Sequence, residues 1–199
     1  VGSILMFDLI YLHANPAPNG DRYVRIGIVR KTIGELRKTV LQSIKAWFPV
    51  QFGANPPFTG DTGSANKPFH GEFHIPNVLD GGKTMCHVEL VGIAYDAESN
   101  SEEAMDSLRS YELTALYVNE ISSMHSSILT MGFERTGRYP SNELGDPLPR
   151  LLITDYNMPY ANSWAMEHHE KNGEYYDDNG KIQFVRKIFV QPPSAIREE

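Results

Sequence analysis

The sequence predicts an α/β fold: a mostly parallel sheet with helices on both faces and an antiparallel hairpin added to it. Three observations predict it. Segments of β-favouring residues alternate with segments whose apolar residues recur at three- and four-residue steps. Two strand-like stretches, Phe69 to Ile75 and Thr84 to Ala94, flank the turn residues Asp80-Gly81-Gly82, which is the pattern of a hairpin with a loop longer than two residues. Finally, the apolar run Leu113-Thr114-Ala115-Leu116-Tyr117-Val118 ends abruptly in Asn119 and Glu120. Ligands of α/β sheets bind at the carboxyl ends of strands, so a strand tip carrying an amide and a carboxylate points at a crevice.

The elements follow in order. Ser3 to His13 reads as a helix, with Ser3 as a possible N-cap. Asn15-Pro16-Ala17-Pro18-Asn19-Gly20 is a loop by its turn residues. Val24 to Arg30 is a strand candidate. Thr32, with Glu35 three residues on, forms a capping box for a helix reaching about Phe48. In that helix Ile33, Leu36, Val40, Ile44 and Trp47 share one face, and Pro49 is expected to end it. Residues 53–68 are a long loop rich in Gly, Pro, Asn, Thr and Ser. In the hairpin, Phe69, Gly71, Phe73 and Ile75 occupy one face, with His70, Glu72 and His74 on the other. A short helix at 101–109 precedes the strand at 113–118, and helix returns near His125 to Phe133. A Pro/Gly-rich loop leads to a short buried strand, Leu151 to Thr154. A turn at Asp155 to Tyr160, a helix from Ala161 to Glu170, a polar Tyr-rich loop and a last strand from Ile182 to Val190 complete the chain.

Composition narrows the function. A chain of 199 residues with 41% hydrophobic and 11% aromatic content supports a packed core. No run approaches the roughly 18–20 apolar residues of a membrane helix. Asp8 interrupts the apolar N-terminal stretch and no basic region precedes it, so it does not read as a secretory signal. A chain opening on Val1 is expected to be a piece of a longer one. The net charge of −7 excludes an evident basic nucleic-acid binder, leaving DNA contact to a local patch or a partner. The single Cys86 excludes an internal disulfide and a thiolate zinc cage.

Several segments together resemble the ATPase domain of a tailed-bacteriophage terminase large subunit, the motor that packages DNA into the capsid. They are Ile28-Val29-Arg30-Lys31-Thr32 with Glu35-Leu36-Arg37 and Trp47-Phe48-Pro49; Cys86-His87-Val88-Glu89-Leu90; Tyr111 to Glu120; Gly137-Arg138-Tyr139-Pro140; and Phe189-Val190-Gln191-Pro192-Pro193. In this order they cover about residues 3 to 195. The resemblance implies a RecA-like P-loop NTPase sheet that binds ATP and Mg2+. It makes Glu120 the residue that activates water, and Asn119 a magnesium ligand acting through water. It further implies double-stranded DNA, a terminase small subunit and a portal protein as partners, assembly as a homo-oligomeric ring, and the bacterial host cytoplasm as the place of action. The whole chain, 1–199, would be one ATPase domain, incomplete at its N-terminus and ending before a nuclease domain.

The departure is at the start. A P-loop needs glycines, a Lys on the β/γ-phosphates and a Ser or Thr on the metal. Only Val1-Gly2-Ser3 precedes the first helix, and no Lys occurs before Lys31. Gly2 and Ser3 remain the nucleotide-binding candidates there, Ser3 also as metal-side hydroxyl. Arg30 and Thr32, at a strand-to-helix junction, are further nucleotide-side candidates, though helix capping explains Thr32 equally well. Arg109 is a candidate for an arginine acting in trans on a neighbour's nucleotide, with Arg135 and Arg138 as rivals. Thr154, Asp155 and Asn157 end the next strand, where a sensor or coupling motif is expected; a plain Asp/Asn turn is the alternative.

Two other readings stand beside the motor. One is a catalytically inactive prophage-derived module that keeps the fold and binds ATP weakly or not at all. The other is a metal-dependent enzyme built on His70, Glu72 and His74 with His87 and Glu89 from the partner strand; a solvated hairpin face explains the same residues. Asp177-Asp178 and the His168-His169 pair are read as surface chemistry, the latter because adjacent helical residues diverge by about 100°.

Overall fold

A computed structural model describes residues 13–52, 69–95, 106, 108–157, 163–170, 173–176 and 182–186, and gives the backbone alone at 47–52, 78, 168–170, 173–176 and 182–186. Gly2, Ser3, all but the last residue of the expected first helix, the 53–68 loop, most of the 101–109 helix and Asp177-Asp178 lie outside the described residues.

The chain divides into two compact units, residues 1–157 and 158–199. The first holds strands β1 (Arg22–Arg30), β2 (Phe69–Pro76), β3 (Met85–Ala94), β4 (Ala115–Val118) and β5 (Leu151–Thr154) in one sheet, in the order β2-β3-β1-β4-β5. β1 runs parallel to β3 and to β4, and β4 parallel to β5. β2 alone is antiparallel, paired with β3. The expected architecture, a mostly parallel sheet carrying an antiparallel hairpin, is the one observed. β1 sits at the centre because its residues suit burial on both faces, with Ile28 and Val29 fully withdrawn from solvent.

Helices α1 (Ile33–Lys38) and α2 (Val40–Phe52) follow β1. Ile26 and Ile28 from β1, Leu36, Leu41 and Ile44 from the helices, and Phe69, Phe73 and Leu90 from the hairpin pack into one core. Burial of side chains of this size contributes roughly 1.5–3 kcal/mol each. On β2 buried and exposed residues alternate without exception among Phe69–Pro76, as the pleat requires. Its hairpin turn is built by Asn77 and Asp80. Asp80 accepts from the backbone N–H groups of Gly82, Lys83 and Thr84, and Gly81 and Gly82 take φ of 72° and 82°, which glycine adopts at no steric cost.

Four expectations need correction. The helix expected to run unbroken from Thr32 to Phe48 is interrupted at Thr39, whose Oγ1 donates to the Glu35 carbonyl at 2.8 Å; the β-branched hydroxyl competes with the helical backbone. Pro49 does not end α2, which continues to Phe52; the missing proline N–H removes one rung, and the helix closes within the next turn. The strand Leu151–Thr154 is half-buried rather than buried, because β5 is the edge of the sheet. In the second unit the Tyr-rich segment is not all loop. It contains β6 (Gly173–Tyr176), antiparallel to β7 (Ile182–Arg186), and the pair forms its own two-stranded sheet beside α4 (Trp164–Glu170) in sequence.

Helix α3 (Ser127–Arg135) packs on β4 through glycine. A Cβ on Gly132 would stand 2.4 Å from Leu116 Cδ2, and one on Gly27 of β1 2.6 Å from Leu116 Cδ1. Both methyl groups of Leu116, itself fully buried, therefore rest on glycines. Close-packed interiors leave such a side chain no room to yield.

Candidate functional site at the tips of β1, β4 and β5

Strand order places the site. From β1 the chain goes to the β2–β3 side; it then returns to β4 on the opposite side of β1 and continues outward to β5. The reversal falls between β1 and β4, and open α/β sheets bind ligands outside the carboxyl ends at such a switch point. Arg30 ends β1, Asn119 and Glu120 follow β4, and Asp155 follows β5.

These four side chains meet. The Arg30 guanidinium, nearly buried at 9% exposure, donates through Nη1 to Asn119 Oδ1. Its Nη2 lies 2.9 Å from Glu120 Oε2, and its Nε lies 3.7 Å from Glu35 Oε2. At that range the Nε–H makes no hydrogen bond and is otherwise unpartnered. The Asn119 amide nitrogen donates to Asp155 at 2.8 and 3.0 Å. Asp155 Oδ1 also accepts the Glu120 backbone N–H at 2.8 Å, and the Ile121 N–H reaches the Asp155 carbonyl at 3.0 Å.

Glu120 has φ 56° and ψ 53°, the left-handed region. A non-glycine residue there costs of order 1 kcal/mol or more and persists only where its surroundings over-determine it. Here the surroundings are identifiable: the bond to Asp155, and the turn Ile121–Ser123, in which Ser123 Oγ and N–H both return to the Glu120 carbonyl at 2.8 and 3.1 Å.

Tyr117 completes the cluster and is absent from the sequence-derived site. Its hydroxyl donates to Asp155 and accepts from Asn119 at 3.3 Å. Burial, reinforced by the Asp155 carboxylate, pushes its phenol well above the ordinary tyrosine range, so it stays a donor at neutral pH. Strand periodicity was the available signal: residues two apart share a face, so a strand presenting Asn119 also presents Tyr117.

The other candidates are placed as follows. Thr32 caps α1, its Oγ1 accepting the Glu35 N–H at 3.2 Å, while the Glu35 carboxylate turns towards Arg30. Thr154 is the last residue of β5, in register with Val118, and Asn157 is exposed two residues past Asp155. Arg109 is not brought to the cluster. It precedes β4, at the strand end opposite Glu120, is exposed, and pairs with Asp106 at 3.1 Å. Arg135 donates to the Arg109 carbonyl, and Arg138 to the Glu134 carbonyl.

The oxygens of Asn119, Glu120 and Asp155 are of the kind a hard cation takes. The arrangement nevertheless does not fit direct magnesium coordination, because Asn119 Oδ1 is taken by Arg30 and the guanidinium charge stands among the donors. Among the described residues no three His, Cys, Asp or Glu side chains are arranged to hold a metal. Nor is any described helix long and apolar enough to cross a membrane.

Fold and site together define an open α/β sheet with a charged polar cluster at its switch point. No protein-family model matches the chain, and no curated protein does. Among solved structures it is similar in fold to the ADP-bound large terminase of a thermophilic bacteriophage, at 15% identity and a TM-score of 0.46, over 76% of this chain and 29% of that one. It is likewise similar to a mutant large-terminase ATPase domain of Thermus phage P74-26, at 14% identity and a TM-score of 0.45, over 87% of this chain and 60% of that one. The chain thus spans less than a third of the length of the first of these proteins.

Proposed function

We propose that the chain is the ATPase portion of a phage DNA-packaging terminase large subunit, coupling ATP hydrolysis to translocation of double-stranded DNA into a capsid. The observation that carries this reading is the meeting of Arg30, Asn119, Glu120 and Asp155 at adjacent strand tips. In this reading the nucleotide arrives as Mg·ATP, and Arg30 exchanges its carboxylate partner for phosphate oxygens. Glu120, released, accepts a hydrogen bond from the attacking water and aligns it on the γ-phosphorus. Asn119 and Ser3 would hold the nucleotide's magnesium, Asn119 through water, and Gly2 and Ser3 would serve the phosphates; the ion would supply charge neutralisation there. Asp155 links the β5 tip to the Glu120 backbone, and with its neighbours Thr154 and Asn157 it serves coupling. Arg109, at the far end of β4, acts only on a neighbour's nucleotide, which requires the ring. The portal protein and small subunit are its partners in the host cytoplasm.

One observation favours a second reading, a module that keeps the fold without turnover. Arg30 and Glu120 already neutralise each other, and Asn119 has partners on both its oxygen and its nitrogen. Apart from the Arg30 Nε–H, the cluster's polar groups therefore have partners with no ligand present.

ATP binding and turnover, with and without Glu120→Gln, separate the two. The expected result is retained binding with turnover lowered by about two to four orders of magnitude, the usual worth of a positioned base. A variant that hydrolyses like the wild type removes Glu120 from the chemistry. An unmutated chain that binds no nucleotide at millimolar concentration selects the second reading.

A further inference from the structure

A second cluster lies on the hairpin, on residues the proposed hydrolysis does not use. His74 and His87 are direct partners in the β2–β3 register. Their Nδ1 atoms are 2.8 Å apart, and the rings meet edge to face at 74°. His87 is held from two other directions. Its ring stacks on Tyr23, centroids 4.5 Å apart and 5° from parallel, and its Nε2 lies 3.3 Å from Asp21 Oδ2.

Asp21 is itself fixed in place. Its Oδ1 accepts the Met85 backbone N–H at 2.8 Å and its Oδ2 the Asn19 amide at 3.0 Å. With the Nε2–H of His87 donated to the Asp21 carboxylate beside it, the ring turns its Nδ1 lone pair towards His74. A carboxylate on the far nitrogen of an imidazole is the arrangement that orients metal-ligating histidines. His74 is exposed and the His87 side chain is 29% exposed, so a dissolved ion reaches both.

We propose that His74 and His87 form a two-imidazole site for a divalent first-row transition ion of the copper, nickel and zinc class, with Asp21 as the residue that positions His87. Two imidazole nitrogens each about 2.1 Å from one ion stand about 3.0 Å apart at the right angle of a tetragonal copper or nickel site and about 3.4 Å apart in tetrahedral zinc; the 2.8 Å found is closer to the first. Imidazole suits these ions, with copper the tightest of them. His70 does not join: its Nε2 pairs with Glu89 Oε1 at 2.6 Å, and Glu89 in turn holds Arg25. With no third side chain of the right kind among the described residues, water fills the remaining positions.

The test is titration of the whole chain with Cu2+ in a non-coordinating buffer, read by visible absorption and by electron paramagnetic resonance. The expected result is one tight equivalent with two-nitrogen hyperfine structure. That equivalent disappears in His74→Gln and in His87→Gln, weakens about 10- to 100-fold in Asp21→Asn, and persists in His70→Gln. Loss of the tight equivalent in His70→Gln, or its survival in both His74→Gln and His87→Gln, overturns the proposal. Absence of a two-nitrogen signal in the unmutated protein overturns it without any variant, which covers the case of variants that fail to fold. The outcome is independent of ATP turnover.

Discussion

Asp155 accepts from the Tyr117 hydroxyl, on both its oxygens from the Asn119 amide nitrogen, and from the Glu120 backbone. Replacing it with Ala leaves these donors half-buried without a partner, at about 1–3 kcal/mol for each one water does not reach. Asp155→Ala is expected to lower unfolding free energy by about 2–4 kcal/mol in urea, and Asp155→Asn by less, since one carbonyl oxygen remains to accept. Gly132→Ala pits two terms against each other. Alanine gains about 1 kcal/mol of helix propensity, and overpacking costs about 1–3 kcal/mol. Because Leu116 cannot move off Gly132 without meeting Gly27, the second term wins, and the variant should unfold at lower urea. Cys86 is fully buried, and burial pushes its thiol up to about 11. A thiol reagent at pH 8 should therefore label it at the rate of unfolding rather than of collision, as the thiolate is the reacting species. Fast labelling of the folded protein would contradict this.

Among elements, the hairpin offers a test with pH. The Asp80 carboxyl is held below its ordinary range, first by the Thr84 hydroxyl and then by the turn's N–H groups; that of Asp21 is held down by the Met85 N–H. A depressed carboxylate contributes stability that is present above the unfolded-state value, about 4, and is lost as pH falls through the folded-state value. Melting temperature should therefore stay flat from pH 7 to about 5 and fall below about 4, with a smaller acid-side fall in Asp80→Asn. An equal fall in wild type and variant removes Asp80 from the effect. The hairpin was also the most legible element, since strict alternation from Phe69 to Ile75 fixes both period and face. The helix after Thr32 was less so: its periodicity continues through Thr39 unchanged, while a single side-chain hydrogen bond decides the break. β6 was illegible because Gly173-Glu174-Tyr175-Tyr176 has no alternation of apolar and polar residues.

At the scale of the molecule, the sheet ranks its own strands. β1 is flanked by β3 and β4 along its buried half, and β5 closes one edge half-exposed. Amide hydrogen exchange should be slowest at Ile26 to Val29 and distinctly faster in Leu151 to Thr154, because protection follows burial and pairing on both sides. The reverse order would mean that β5 is covered by something beyond this chain. The site was legible to the extent that it depends on strand ends: Asn119, Glu120 and Asp155 follow apolar runs, and position alone marks them. What joins them was not, because Arg30 reaches across from a strand 89 residues away in sequence, and no spacing rule reports that two strands are neighbours.

Glu120 is secured in two separate ways: its main chain by Asp155 and the turn behind it, its carboxylate, among the described residues, by Arg30. Severing the second attachment leaves the first intact. The carboxylate can swing by bond rotation on the picosecond-to-nanosecond scale, with no loop refolding and no rearrangement of the sheet. An anion competing for Arg30 thus meets a latch with almost no inertia.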